Sequence, residues 1–237
     1  MRLLVRSWNV FHGNAHPPRR KGFLRKMVEL ASADAPDVLC LQEVPVWALP
    51  RIDDWSGMTT FGAITRPPLW LGPLSTWLTR IHQGFFRSGL AGQANMILVA
   101  PRHPASDLGH ERISEDGRER RLVQAVRLDG LGVVVGNLHA SNEFSDPSVP
   151  LAELERGRSF VEGCATPGEI TVLAGDFNLR DPRLDGYTAG GDGIDHVVAR
   201  GAPAGPVVAW PSERRAVGGV ILSDHAPVDC VLEVPAA

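Results

Sequence analysis

The residues of this chain that could do chemistry stand where short apolar runs end. Asn9 follows Leu3–Val5 by way of Trp8, and Glu43 follows Val38–Leu41 by way of Gln42. His139 follows Val133–Leu138, Asp176 and Asn178 follow Ile170–Ala174, and Asp195 follows Gly193-Ile194. Asp224 and His225 precede the run Val228–Val234. Asn9, Glu43, Asp176, Asn178 and Asp224 offer hard oxygen ligands, the kind that Mg²⁺ or Mn²⁺ prefers. Two histidines among carboxylates are the means for proton transfer and for stabilising the negative charge of a phosphorane. No thiolate belongs to the set, so a structural zinc site is not supported.

Taken singly, each group has a plainer explanation. Trp8-Asn9 reads as a strand end with a turn-forming asparagine, and Gln42-Glu43 before Pro45 as a solvated loop start. His139 alone reads as a structural histidine, and Ser223-Asp224-His225 as an Asx or Ser turn. Gly175-Asp176-Phe177-Asn178 is a good turn sequence, although a buried strand delivering Asp-x-Asn is already suggestive. For the chemistry to vanish, all of these explanations must hold together and in one order.

The elements that must position these groups are short. The apolar runs, Met96–Ala100 among them, are five to seven residues long and rich in β-branched side chains. They read as strands buried on both faces. Residues 19–33 predict a helix with Phe23, Leu24, Met27, Val28, Leu30 and Ala31 on one face and Arg19, Arg20, Arg25 and Lys26 opposite. Residues 149–163 repeat the pattern more weakly with Leu151, Leu154, Phe160 and Val161. Strand, helix, strand, several strands, helix, strands is the order of stacked sheets with helices outside, an α/β sandwich in one domain over 1–237. Residues 65–92 and 180–193 read as irregular, rich in Pro and Gly.

Composition excludes other classes. The 237 residues are 43% hydrophobic with a net charge of −3, as in ordinary globular proteins. No run of about 18 apolar residues could span a membrane. A pI near 6.2 argues against nucleic-acid binding by bulk charge alone. Only Arg19-Arg20-Lys21 and Arg118 through Arg121 are densely basic, and a solvated helix face or turn explains both. Cys40, Cys164 and Cys230 lie far apart and read as reduced thiols. Leu3-Leu4-Val5 is too short for the apolar core of a signal peptide. The expected compartment is the cytoplasm.

Trp8-Asn9, Gln42-Glu43, Asn137-Leu138-His139, Gly175-Asp176-Phe177-Asn178, Ile194-Asp195 and Ser223-Asp224-His225, in this order, resemble the endonuclease/exonuclease/phosphatase superfamily of DNase I-like proteins. The resemblance runs from Trp8 to His225. It implies a four-layer α/β/β/α sandwich, two packed and mostly antiparallel sheets flanked by helices, with strand ends from both halves meeting in one metal-containing cleft. It also implies metal-assisted hydrolysis of a phosphate ester, most simply a phosphodiester, by in-line attack of water. Carried over by position, Asn9, Glu43 and Asp224 form the metal set for Mg²⁺, with Mn²⁺ as a substitute. Asp176 orients or deprotonates the water, Asn178 donates to the phosphate, and Asp195 holds His225 beside the scissile group. His139 is a general acid or a phosphate-binding donor. His139 departs from the abasic-site endonucleases and resembles the branches with DNase I-like nucleases, sphingomyelinases and inositol-phosphate phosphatases. His196, where many relatives have an aromatic, is expected to be structural.

Two substrate classes stay open within that chemistry, nucleic acid and a lipid or inositol phosphate. A different class is a non-catalytic binding module that keeps the fold, but such relatives usually lose a ligand or histidine position, and here all are present. One segment is conspicuous besides. Residues 55–106 contain no Asp or Glu, carry Arg66, Arg80, Arg87 and Arg102, and hold Trp55, Trp70 and Trp77. They either pack as a helix and loop over the sheet edge or overhang the cleft mouth, where Trp70 and Trp77 would set substrate choice.

Overall fold

The computed structural model describes residues 1–19, 21–69, 90–188 and 190–235. Arg80, Arg87, Trp70 and Trp77, and with them the expected overhang of the cleft, lie outside the described residues. In chain order come β1 (Arg2–Asn9), β2 (Ala15–His16), α1 (Leu24–Ser32), β3 (Val38–Val44), α2 (Ile52–Ser56) and β4 (Thr59–Arg66). Next are β5 (Gln93–Val99), β6 (Ala105–Arg112), β7 (Leu122–Leu128), β8 (Val133–His139) and α3 (Ser148–Cys164). The last are β9 (Ile170–Asp176), β10 (Gly191–Asp192), β11 (Asp195–Arg200), β12 (Val208–Ala209), β13 (Ala216–Val217), β14 (Val220–Leu222) and β15 (Val228–Glu233).

Two six-stranded sheets result, ordered β12-β15-β1-β3-β5-β4 and β10-β11-β9-β8-β7-β6, beside a small β13-β14-β2 sheet. Within the two large sheets pairing is antiparallel except between β1 and β3 and between β8 and β9. Those two parallel pairs need crossovers, and the crossovers are where α1 and α3 lie. Each sheet therefore has one helical face. Alternation along β3 shows why its sequence reads as continuously apolar. Val38 and Cys40 face the core between the sheets, whereas Leu39 and Leu41 pack outward with Met27, Val28 and Ala31 of α1. On the far side Leu154 and Val161 of α3 cover Val134, Leu138 and Leu173. The layers are α/β/β/α, as the resemblance implies.

The helix expected over 19–33 starts at Leu24 instead. Turn chemistry wins upstream. The Asn14 side-chain oxygen accepts from the Ala15 and Arg19 amides at 2.9 and 3.0 Å, and Pro17-Pro18 and Gly22 do not favour a helix interior. Residues 149–163 fall within α3. The described ends of the acid-free segment are engaged elsewhere. Arg102 is tied to Asp37 at 2.6 Å, and Trp55 meets Trp47 edge-on at 6.4 Å against the α1 side. Cys40, Cys164 and Cys230 are free thiols.

A polar clamp crosses the core just beneath the strand ends. Asn137 on β8 donates to the carbonyls of Leu41 at 3.0 Å and Met96 at 2.8 Å, across the gap between sheets. Its oxygen accepts from Gln42 Nε2 at 2.8 Å, and the same amide reaches Ser7 Oγ at 3.1 Å. Both amide side chains are fully buried. Asn137→Ala takes a donor from two carbonyls and leaves Gln42 Nε2 with Ser7 alone, so it is expected to cost about 3 kcal/mol in urea unfolding. A loss below about 1 kcal/mol would show that the clamp is dispensable.

Candidate active site

The two parallel pairs bring their carboxyl ends to the same edge of the sandwich, the end of a parallel pair where ligands bind in α/β proteins. β1 and β3 end at Asn9 and just after Glu43, while β8 and β9 end at His139 and Asp176. Register then makes a row. His139 pairs with Asp176 across β8 and β9, and Asp176 pairs with Asp195 across β9 and β11. His139 Nε2 is 3.5 Å and His225 Nε2 is 3.7 Å from Asp176 Oδ2. Asp195 Oδ2 accepts from His225 Nδ1 at 2.8 Å, the contact expected of an orienting carboxylate.

The other sheet closes the site from the opposite side. Asn9 Nδ2 donates to Asp176 Oδ2 at 3.1 Å, and its oxygen accepts from the Phe11 amide at 3.0 Å. Ser223 Oγ donates to the Asn9 carbonyl at 2.6 Å and accepts from the His225 amide at 3.1 Å. Trp8 Nε1 donates to the His225 carbonyl at 3.0 Å. Asn178 is fixed by one amide N–H on the Ala140 carbonyl at 2.9 Å, and its second N–H can serve a ligand. Phe11, His12, Glu43, Asn178 and Ser223 all have left-handed backbone, each held there by its neighbours at a cost of order 1 kcal/mol or more. Such strain gathers where side-chain aim matters.

Burial and charge set the protonation. Desolvation first, and then the charge of Asp195, push the Asp176 carboxyl up to about 7. Burial alone would lower the His225 imidazole, but its hydrogen bond to Asp195 and the charges of Asp195, Asp176 and Asp224 carry it up to about 10. His139 goes the other way, lowered well below its ordinary value by burial and by Arg121, His225 and His12. One site thus holds a near-neutral base, a cation and a neutral imidazole.

Asp176, Asp195 and His225 bring ligand atoms within 4.8 Å of one another, the one such cluster of His, Cys, Asp and Glu among the described residues. Glu43 and Asp224, expected with Asn9 to hold metal, do not join it. Glu43 Oε2 meets His12 Nε2 at 3.0 Å, and Asp224 stands next to Ser223 Oγ at 3.5 Å. The donor set suits a small hard cation all the same. Asp195 Oδ1 is buried without a hydrogen-bond partner, an open carboxylate oxygen of the kind such a cation takes. His196 is away from this chemistry, bonded to the Gly190 and Leu179 carbonyls and stacked on Phe177 at 5.2 Å.

Two contributors were not legible as such. His12 lies in a loop with no periodic signal, and only its closeness to Asn9 in sequence hinted at it. Arg121 reads as part of a solvated basic patch, yet it is 7% exposed and touches His139, while Arg118 stays outside among Glu115 and Glu143.

A sandwich whose strand ends set carboxylates and histidines around one cleft has the DNase I-like fold. The Endonuclease/Exonuclease/phosphatase family model matches residues 7–225, and the chain belongs to that family. Solved structures agree on the fold. An endonuclease/exonuclease/phosphatase from Beutenbergia cavernae DSM 12333 aligns with a TM-score of 0.72 at 18% identity, covering 100% of this chain and 72% of that one. A functionally unknown conserved protein from Enterococcus faecalis V583 aligns at 0.69 and 14% identity, covering 98% and 100%. TDP2 from D. rerio, complexed with single strand DNA product, aligns at 0.67 and 14% identity, covering 98% and 99%. No curated protein matches the chain significantly in sequence. Among the described residues no helix is long and apolar enough to cross a membrane.

Proposed function

We propose that this chain is a single-domain cytoplasmic phosphodiesterase that uses Mg²⁺, or Mn²⁺ in its place, to hydrolyse its substrate by in-line attack of water. The observation that carries the reading is the row His139–Asp176–Asp195 with His225 locked onto Asp195. Asp176, near neutrality and buried at the floor, takes the proton of the attacking water, and a base poised near 7 suits that task. His225, kept cationic by Asp195, faces the charge that develops on the phosphoryl oxygens. Asn178 and His139 donate hydrogen bonds to the same group. Glu43, Asp224 and the Asn9 oxygen would hold the cation, which when bound supplies positive charge to the phosphoryl oxygens.

Single-stranded nucleic acid is the substrate class to try first, because the D. rerio relative is complexed with a single-strand DNA product. Lipid and inositol phosphates belong in the same panel. Bis-p-nitrophenyl phosphate tests the chemistry without a choice of substrate. No turnover of any phosphodiester with either cation, by protein shown to be folded, would sink the proposal.

Metal binding has a sign that can be checked without activity. The raised Asp176 means that, metal-free, this group subtracts stability as pH rises from its unfolded value near 4 through about 7. A bound cation relieves that repulsion, and protons compete with it at low pH. Millimolar Mg²⁺ is therefore expected to raise Tm by several degrees at pH 8 and by less at pH 5. Excess EDTA should reverse the shift and abolish turnover. An identical Tm with Mg²⁺ and EDTA at pH 8 would remove the metal from the reading.

A further inference from the structure

Arg121 immediately precedes β7, and its side chain runs inward. Nη1 lies 3.1 Å from His139 Nδ1, and Nη2 lies 3.1 Å from Glu119 Oε2. Its backbone amide donates to Ser114 Oγ at 3.0 Å, so the residue is held at its base as well as at Nη1 and Nη2. A guanidinium has only donors and does not lose its proton in proteins. The atom it meets must therefore be a bare, lone-pair nitrogen. With Nδ1 accepting, the ring proton of His139 sits on Nε2, the nitrogen that points toward Asp176 from 3.5 Å. That distance is long for a direct hydrogen bond, so the N–H is left available to a ligand bound beside Asp176.

We infer that Arg121 is a positioning residue that holds His139 as the neutral Nε2–H tautomer, which makes His139 a hydrogen-bond donor to the substrate phosphate and not a cationic general acid. The inference deepens the proposed function and rests on it for the word substrate, but the tautomer itself stands on the Arg121–His139 contact alone. The two histidines of the site are then wired in opposite senses. Asp195 accepts from His225 Nδ1 and favours the cation, whereas Arg121 donates to His139 Nδ1 and disfavours it. Protonating His139 would put a second positive charge beside both Arg121 and His225. Burial of the ring at 5% exposure acts in the same direction.

The test is a long-range ¹H–¹⁵N correlation spectrum of the full chain, uniformly or histidine-labelled, with His139→Gln used only to assign the signal. The expected result is a His139 ring with a protonated Nε2 and a bare Nδ1 that keeps this form from pH 8 down to pH 5.5. A proton on Nδ1, or a doubly protonated ring at pH 7, overturns the inference whether or not the protein turns out to be an enzyme. Arg121→Met should release the ring, giving mixed tautomers and a proton affinity that rises toward the ordinary histidine range without reaching it, because burial, His225 and His12 still act on the ring. It should also lower kcat for bis-p-nitrophenyl phosphate about 10- to 100-fold. Arg121→Lys, a donor without the fork, should restore the tautomer in large part. If Arg121→Met folds and His139 keeps the Nε2–H form, Arg121 is merely structural and the inference fails. If it does not fold, the wild-type and Arg121→Lys spectra decide.

Discussion

Asp176→Asn is expected to lower phosphodiester turnover by about 10³-fold while leaving the protein at least as stable as before. The substitution keeps the shape of the side chain and an oxygen for Asn9 Nδ2, which now bonds Asp176 at 3.1 Å. It removes the basic lone pair that the proposed water deprotonation needs. It also removes a carboxyl that is 2% exposed and lies in register with Asp195. Desolvation and the neighbouring carboxylate are what push Asp176 up to about 7, so above that pH the charge is a burden on the fold. Stability and activity should then part company. At pH 8 in EDTA the Asn variant should melt higher than wild type, and at pH 5, where Asp176 is already protonated, the two should melt alike. Turnover within tenfold of wild type with Mg²⁺ present would show that Asp176 is not the base.

Gly175→Ala is expected to be the most damaging single methyl group that can be added near this site. Gly175 has φ of +146°, a region that side chains avoid, and a Cβ there would stand 1.9 Å from the Leu138 carbonyl oxygen. Neither atom can give way cheaply, because Leu138 and Gly175 are register partners in the parallel β8–β9 pair. The strands must separate next to His139 and Asp176, so the expected cost exceeds about 4 kcal/mol, or about 10 °C in Tm, with catalysis lost as well. Gly163→Ala supplies the control. It lies on α3, where an added Cβ meets nothing within 4 Å, so it should be neutral or stabilise by about 0.5–1 kcal/mol. If the two variants melt within 2 °C of each other, the close approach of β8 and β9 is not what fixes the row.

The strands that were easy to read are the central ones. β1, β3, β8 and β9 are buried on both faces, so their sequences are short apolar blocks with polar ends, and those ends are the site. β4 and β6 are harder to see because they are edge strands, half exposed, each interrupted by a glycine and β6 also by several charged residues. The start of α1 lies later than its amphipathic pattern predicts for a related reason. Its amphipathic face continues upstream as composition, but Asn14 and the two prolines had already committed the backbone to a turn.

By itself the sequence determined which groups are available and in what order they arrive. An asparagine, carboxylates and two histidines each follow or precede a buried strand, and that order, with the apolar blocks between, implies the sandwich. Only the tertiary structure decided what those groups are to one another. Asp176 and Asp195 become neighbours through the β9–β11 register, and desolvation beside a like charge turns an ordinary carboxyl into a base near neutrality. His225 and His139 are the same residue type, yet one meets a carboxylate and the other is buried against a guanidinium, which sends their proton affinities in opposite directions. Such differences depend on distances of a few ångströms between strands far apart in the chain, because the charge interactions that set a pKa act through space and not along the backbone.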